Sequence, residues 1–213
     1  MNTVQHHISD DLLMGYAAGI LPQAFDLVIG AHVSLSDCAR DRLCKYDSLG
    51  GVILENIDEI AVSDTCLDRT FTKISGMTSA PVKKRHDGIF PPVLHDAVGG
   101  DDTAVKWRAL GRGVKQSILH TDEQGSVRLL LIPAGQAMPK HGHGGLEITL
   151  VLKGAYRDNE TRFARGDVDI ATKDTHHSPI ADKGEDCICL IATDAPLRFH
   201  GVWARMAQPF FGI

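Results

Sequence analysis

The sequence predicts an α+β protein built from a small N-terminal bundle of three or four helices and a C-terminal all-β domain. In the first third of the chain, apolar residues recur at helical spacing. From Trp107 onward they form short β-rich runs separated by glycine-containing turns, which is typical of a sandwich or barrel. We therefore expect a helical domain over residues 1–80, a linker over 81–104 and a β domain over 105–213.

The helical part carries recognisable start and stop signals. Ser9 can cap a helix whose first turn holds Asp10 and Asp11, where negative charge is favourable. A second helix follows Pro22, and its residues Phe25, Val28, Ile29 and His32 share one face. The helical pattern is expected to end at Gly50 and Gly51. A last helix should begin near Ser63, with Leu67, Phe71 and Ile74 on one side.

Prolines and glycines punctuate the predicted linker, which contains Pro81, Pro91 and Pro92. Beyond it, three apolar runs predict strands: Val127–Ile132, Glu147–Leu152 and Cys187–Ile191.

Composition narrows the class of function. The chain has 213 residues, of which 43% are hydrophobic, and a net charge of −5. This charge argues against direct nucleic-acid binding, which relies on Lys and Arg to neutralise phosphates. The five cysteines are an odd number in a chain of ordinary size, so a secreted disulfide framework is not expected. With no signal-like opening segment and no long apolar run, we expect a soluble cytoplasmic protein with no membrane partner.

A cluster of metal-ligating residue types lies in the β half. His141 and His143 are two residues apart, so on an extended strand both rings point to the same face. Glu147 reaches that face after a turn through glycines, and His177 adds a fourth ligand from a later segment. Imidazoles and a carboxylate suit zinc, iron, manganese or nickel.

These residues resemble the two sequence blocks of the cupin signature. Gly135, His141, His143, Glu147 and Gly154 match every named position of the first block, G-x5-H-x-H-x3-E-x6-G. In the second block the initial glycine and the histidine match, as Gly166 and His177. Its usual Pro, Gly and Asn are replaced by Thr172, Asp174 and Ala181. His176 could substitute for its neighbour but would project to the opposite face of a strand. The resemblance implies a jelly-roll barrel with one divalent metal ion.

Cys187 and Cys189 are also two residues apart on a predicted strand, so their sulfur atoms share a face. They could sense oxidants near the metal. The alternative is that both thiols pack as small apolar groups.

The chain as a whole resembles the ChrR group of zinc-binding anti-sigma factors. The resemblance rests on His6–Gly19, on Ala31–Cys38 and on the tail segment Asp186–Phe199. It implies that the helical domain binds an extracytoplasmic-function (group IV) sigma factor and blocks its access to RNA polymerase. It also implies that the cupin domain is needed for the response to oxidative signals such as singlet oxygen.

The sequence departs from this group at a second zinc site in the helical domain. The group carries His-x3-Cys-x2-Cys plus an early histidine; His7 and His32 match, but Ser36 and Ala39 replace the cysteines. Cys38 falls one position early and could complete a site with His7 and His32. Otherwise this second zinc site is weak or empty, and His32 closes the apolar face of its helix.

Two functions remain open from the sequence. One is a regulator without enzymatic activity that sequesters a sigma factor. The other is a metal-dependent cupin enzyme, such as a dioxygenase, with an accessory helical module.

Overall fold

A computed structural model describes residues 4–77 and 88–196, together with the backbone of residues 198–199. Within these residues, five helices precede the sheets: α1 Asp10–Ala17, α2 Gln23–Leu35, α3 Asp37–Glu55, α4 Cys66–Gly76 and α5 Pro92–Val98. Ser9 caps α1, since its side chain accepts a hydrogen bond from the Leu12 amide. No helix in the described part of the chain is long and apolar enough to cross a membrane.

In the described part of the C-terminal half, twelve strands follow a 3-10 turn at Asp102–Ala104. They are β1 Arg108–Gly111, β2 Val114–Asp122, β3 Gly125–Ile132, β4 His141–Gly142, β5 Glu147–Lys153, β6 Ala155–Asp158, β7 Thr161–Ala164, β8 Val168–Ala171, β9 His176–His177, β10 Ile180–Ala181, β11 Cys187–Thr193 and β12 Arg198–Phe199. A six-stranded antiparallel sheet has the order β1-β2-β3-β11-β5-β8. Two three-stranded sheets have the orders β10-β6-β7 and β12-β4-β9.

The central strands β3, β5 and β11 of the six-stranded sheet are buried on both faces, which explains why they are apolar almost throughout. Successive side chains on a strand point to opposite faces. One face packs against helices, with α2 lying on β3, β5 and β11. That helix-facing layer includes Val127, Leu129, Ile148, Leu150, Ile188 and Leu190. The opposite face lines an internal cavity, and it includes Leu130, Ile132, Thr149, Cys189 and Ile191.

The N-terminal helices share a hydrophobic core with the sheet. Phe25, Val28 and Ile29 of α2 are buried in the same cluster as the helix-facing layer of β3, β5 and β11. The segment before α1 is tied to the β7–β8 turn, where the Asp167 carboxylate accepts hydrogen bonds from the Gln5 and His6 amides. The cavity and the helices are therefore separated by the thickness of one sheet.

Two local expectations differ from the structure. Helix α3 continues through Gly50 and Gly51 to Glu55. Both glycines lie in the helix interior, where each costs about 1 kcal/mol relative to alanine without forcing a break.

Within the range expected as linker, Pro91 and Pro92 begin helix α5, whose Leu94 is buried against α2. Proline suits the first helical turn because the amide it lacks would have no partner there. The domain limits at residues 80 and 104 stay predictions.

Candidate metal centre

The four ligand-type side chains of the cupin motif converge from three strands. β4 pairs with β9 so that His141 lies directly opposite His177. His143 follows β4 immediately, and Glu147 is the first residue of β5 in the six-stranded sheet. His176, the neighbour that could have substituted, is exposed on the other side of β9. The structure thus brings together all four residues that the motif predicts.

Their ligating atoms lie within 4.8 Å of one another. The Nε2 atom of His177 is 3.0 Å from Nε2 of His143 and 3.1 Å from Nε2 of His141. Glu147 places its Oε2 atom 3.6 Å from Nδ1 of His143. All four residues are buried, with exposed fractions of 1–7%.

Hydrogen bonds to the outer ring nitrogens fix two of the tautomers. Nδ1 of His141 lies 2.8 Å from the Pro139 carbonyl, and Nδ1 of His177 lies 3.1 Å from the Asp158 carboxylate. Because both oxygens accept, each Nδ1 carries the proton and each Nε2 of the neutral ring presents a lone pair. Such outer partners are common around histidines that bind metals.

This arrangement fits a cation. Two lone pairs 3.1 Å apart in a buried site repel each other unless a positive charge lies between them. Burial lowers the pKa of His141, which favours the neutral, metal-binding form of its ring. Metal–nitrogen bonds of about 2.1 Å place neighbouring nitrogens roughly 3.0–3.4 Å apart in octahedral or tetrahedral geometry. The observed spacing therefore suits zinc and also the other transition metals of the sequence prediction.

A cavity of about 90 Å³ adjoins the four ligands. His141, Glu147 and His177 open onto it, and most of the remaining wall is apolar. The buried polar residues Gln116 and Arg128 also line it.

The sequence motif did not select Asp158 or Arg128. Asp158 lies outside both cupin blocks, so no spacing rule identifies it. Arg128 did give a signal, because it is a charged residue inside the apolar run of β3.

Comparison with known proteins agrees with this architecture. Residues 95–196 match the family described as the ChrR cupin-like domain. The anti-sigma-E factor ChrR of Cereibacter sphaeroides is 47% identical over 212 residues, covering 99% of this chain and all of that protein. The chain belongs to the ChrR family of anti-sigma factors.

A solved structure of a ChrR-family protein is also similar along most of the chain. It is the crystal structure of Rhodobacter sphaeroides SigE in complex with the anti-sigma factor ChrR. The matched chain is 44% identical, with a TM-score of 0.78, and the match covers 90% of this chain and 100% of that one. The likeness thus includes the helical half as well as the cupin-like half.

At the helical site expected for the ChrR family, both ring nitrogens of His32 face backbone groups. His32 is buried; its Nδ1 donates to the Gly166 carbonyl at 3.0 Å, and its Nε2 accepts from the Ile8 amide at 3.5 Å. Burial lowers the pKa of His32 to about 4. His32 therefore links α2 to the β7–β8 turn as a neutral ring.

The other residues expected at this second zinc site do not complete a ligand set. Ser36 places its hydroxyl 3.3 Å from Nδ1 of His7 and also caps α3 by accepting from the Ala39 amide. Cys38 is exposed. No metal-ligating cluster among the described residues includes His7, His32 or Cys38.

Cys187 and Cys189 are buried free thiols whose sulfur atoms lie 3.6 Å apart. The hydrogen bond with Cys187, together with burial, raises the pKa of Cys189 well above its ordinary value. A protonated thiol is a poor nucleophile, so this environment favours the packing interpretation over ready oxidation.

Proposed function

We propose that this protein binds an extracytoplasmic-function (group IV) sigma factor through α3 and α4, and thereby withholds it from RNA polymerase. Support comes from membership of the ChrR family and from the similar chain that was crystallised with SigE. The observation that carries the proposal is an exposed apolar surface on these two helices.

We call this surface the apolar helical face. On α4 it comprises Leu67, Phe71 and Ile74, which are 65%, 58% and 57% exposed and recur at helical spacing. On α3 it comprises Leu49, Val52 and Ile53, all more than half exposed. No residue of α4 is buried. Each helix thus carries exposed apolar side chains along one side, and a patch of this kind marks a protein–protein contact.

The test is co-expression with an extracytoplasmic-function sigma factor from the same organism, followed by size-exclusion chromatography and a measured Kd. Removing a buried phenylalanine from an interface costs about 1.5–3 kcal/mol, so Phe71→Asp should weaken binding about 10- to 100-fold. Thr72→Asp adds the same charge to the other side of α4 and should bind normally. Equal affinities for the two variants would contradict the proposed surface.

We further propose that the cupin half holds one divalent metal ion, zinc by family resemblance, and that this half is needed for release of the sigma factor under oxidative stress. His141, His143, Glu147 and His177 would hold the ion, which would supply a Lewis-acidic centre beside the cavity. The shared core supports a route for the signal. Strands β3, β5 and β11 contribute one face to the cavity and the other to the contact with α2.

Three further proposals concern the closure of the sheets, the location of the protein and the enzymatic alternative. The sheets are proposed to close into a jelly-roll barrel, because the cavity is lined both by the large sheet, through Arg128, and by the small sheets, through Tyr156 and His177. The cytoplasm is the proposed location, since a sigma factor acts there. An oxygenase-like activity is not favoured, because the full-length relative is a regulator.

A further inference from the structure

Arg128 is a buried cation in the wall of the cupin cavity. It lies on β3, where Arg128, Leu130 and Ile132 are each two residues apart and therefore share one face. All three side chains line the cavity. Only 6% of Arg128 is exposed to solvent. An arginine in this position remains charged, because its guanidinium is not deprotonated in proteins.

The guanidinium is only partly satisfied by the protein. Its Nη2 atom donates to the Ser126 hydroxyl at 2.8 Å. Its Nη1 atom is buried and has no hydrogen-bond partner among the described residues. A buried charge without a counter-charge is strongly unfavourable, so a site of this kind calls for an anion.

The nearby carboxylate does not fill this role. The charge of Glu147 acts on Arg128 through space, yet no ion pair joins the two residues within the described structure. Glu147 is also one of the four clustered ligand-type residues, so its negative charge is committed to the metal site.

The cavity's size and surface restrict the anion. Its volume of about 90 Å³ corresponds to roughly six water-sized positions, and hence to on the order of six heavy atoms. Leu130, Ile132 and Ile191 make part of the wall apolar, whereas Thr149 and Thr193 supply hydroxyl groups. A short organic acid matches this combination better than a fully hydrated inorganic ion does.

We propose that the cavity binds a short organic carboxylate, with its carboxylate group paired to Nη1 of Arg128 and its other end directed toward the metal site. This inference rests on the proposed metal centre and adds a ligand to it. A planar guanidinium and a carboxylate form short, charge-assisted hydrogen bonds, often two in parallel. The bound acid would contact β3 directly, and β3 packs under α2 on its other face.

The test uses the full-length protein and isothermal titration calorimetry with acetate, lactate, pyruvate and succinate. Methyl pyruvate is the uncharged control, and inorganic phosphate tests a different anion. At least one carboxylate should bind to the wild type, and methyl pyruvate should not. Arg128→Met keeps the side-chain volume but removes the charge, and should weaken carboxylate binding about 10- to 100-fold. Arg128→Lys should give an intermediate affinity.

The outcomes separate this proposal from the proposed function. Absence of binding by all four acids, preference for phosphate, or equal affinity of Arg128→Met and the wild type would each overturn it. Circular dichroism and metal content, measured on the same samples, establish that the variants are folded and loaded. Sigma-factor binding by Arg128→Met should remain normal, since Arg128 lies on the cavity side of the sheet. A wild-type protein that contains no metal, or that does not bind the sigma factor, would instead count against the proposed function.

Discussion

Acidification is expected to weaken the attachment of α2 to the β domain through His32. The folded protein holds this ring neutral, with Nδ1 donating to Gly166 and Nε2 accepting from Ile8. Burial lowers its pKa from the ordinary 6.5 to about 4. Between these values the unfolded chain binds a proton that the folded protein does not, so the free energy of unfolding falls as the pH decreases.

The size of the effect follows from the two pKa values. Their separation of about 2.5 units corresponds to roughly 3 kcal/mol once the pH is below both. From pH 7.5 to pH 5, the same linkage gives a loss of about 2 kcal/mol from this residue. That is a large share of the stability of an ordinary domain.

Urea unfolding at a series of pH values measures this contribution. His32→Gln retains a neutral side chain that can still donate to Gly166, but it cannot titrate. Between pH 7.5 and pH 5, the variant should lose about 2 kcal/mol less stability than the wild type. Comparing the two proteins cancels the contribution of the metal-site histidines, which both contain.

If His32→Gln and the wild type lost stability in parallel, the His32 ring would not be the source of this pH dependence. An NMR titration of the His32 ring gives an independent check. A His32 ring that takes up its proton near pH 6.5 in the folded protein would also contradict the lowered pKa.

Four further outcomes are expected. Elemental analysis should find about one divalent metal per chain and its loss in the His141→Ala, His143→Ala double variant; unchanged metal content would refute the assignment. Asp158→Asn should weaken metal binding about 10- to 100-fold in a chelator competition, because the neutral amide orients the His177 ring less well than a carboxylate; unaltered affinity would remove Asp158 from the site. Glu147→Ala should preserve repression but blunt induction by singlet oxygen in a promoter-reporter assay; derepression at normal protein level would place the cupin inside the inhibitory contact. A fragment of residues 1–80, co-expressed with the sigma factor, should retain the complex, because the apolar helical face lies outside the core shared with the sheet; a requirement for the full chain would contradict this.

The sequence is sufficient for features that depend on short-range spacing. His141, His143 and Glu147 lie within seven consecutive residues, so strand geometry and one glycine turn nearly determine their relative positions. The cap of α1 is similarly local, since Ser9 contacts an amide three residues away. The family resemblance over the whole chain is confirmed by the 47% identical relative.

The expectations about where helices begin and end depend on packing free energies, which local sequence patterns do not contain. Gly50 and Gly51 were expected to stop a helix, yet α3 passes through them at a modest cost. Pro91 and Pro92 are typical of a linker in the sequence, but in the structure they begin helix α5, which packs against α2.

The sequence alone determined the class of the protein and selected the four candidate metal ligands, because the family resemblance and the cupin motif depend only on residue types and their spacing along the chain. Only the tertiary structure decided what His32 and Arg128 face. Nδ1 of His32 donates to the carbonyl of Gly166, which lies 134 residues away in the sequence. Nη1 of Arg128 has no hydrogen-bond partner among the described residues. Whether a buried polar group is satisfied depends on which distant elements pack around it, and that packing arises from the whole folded core.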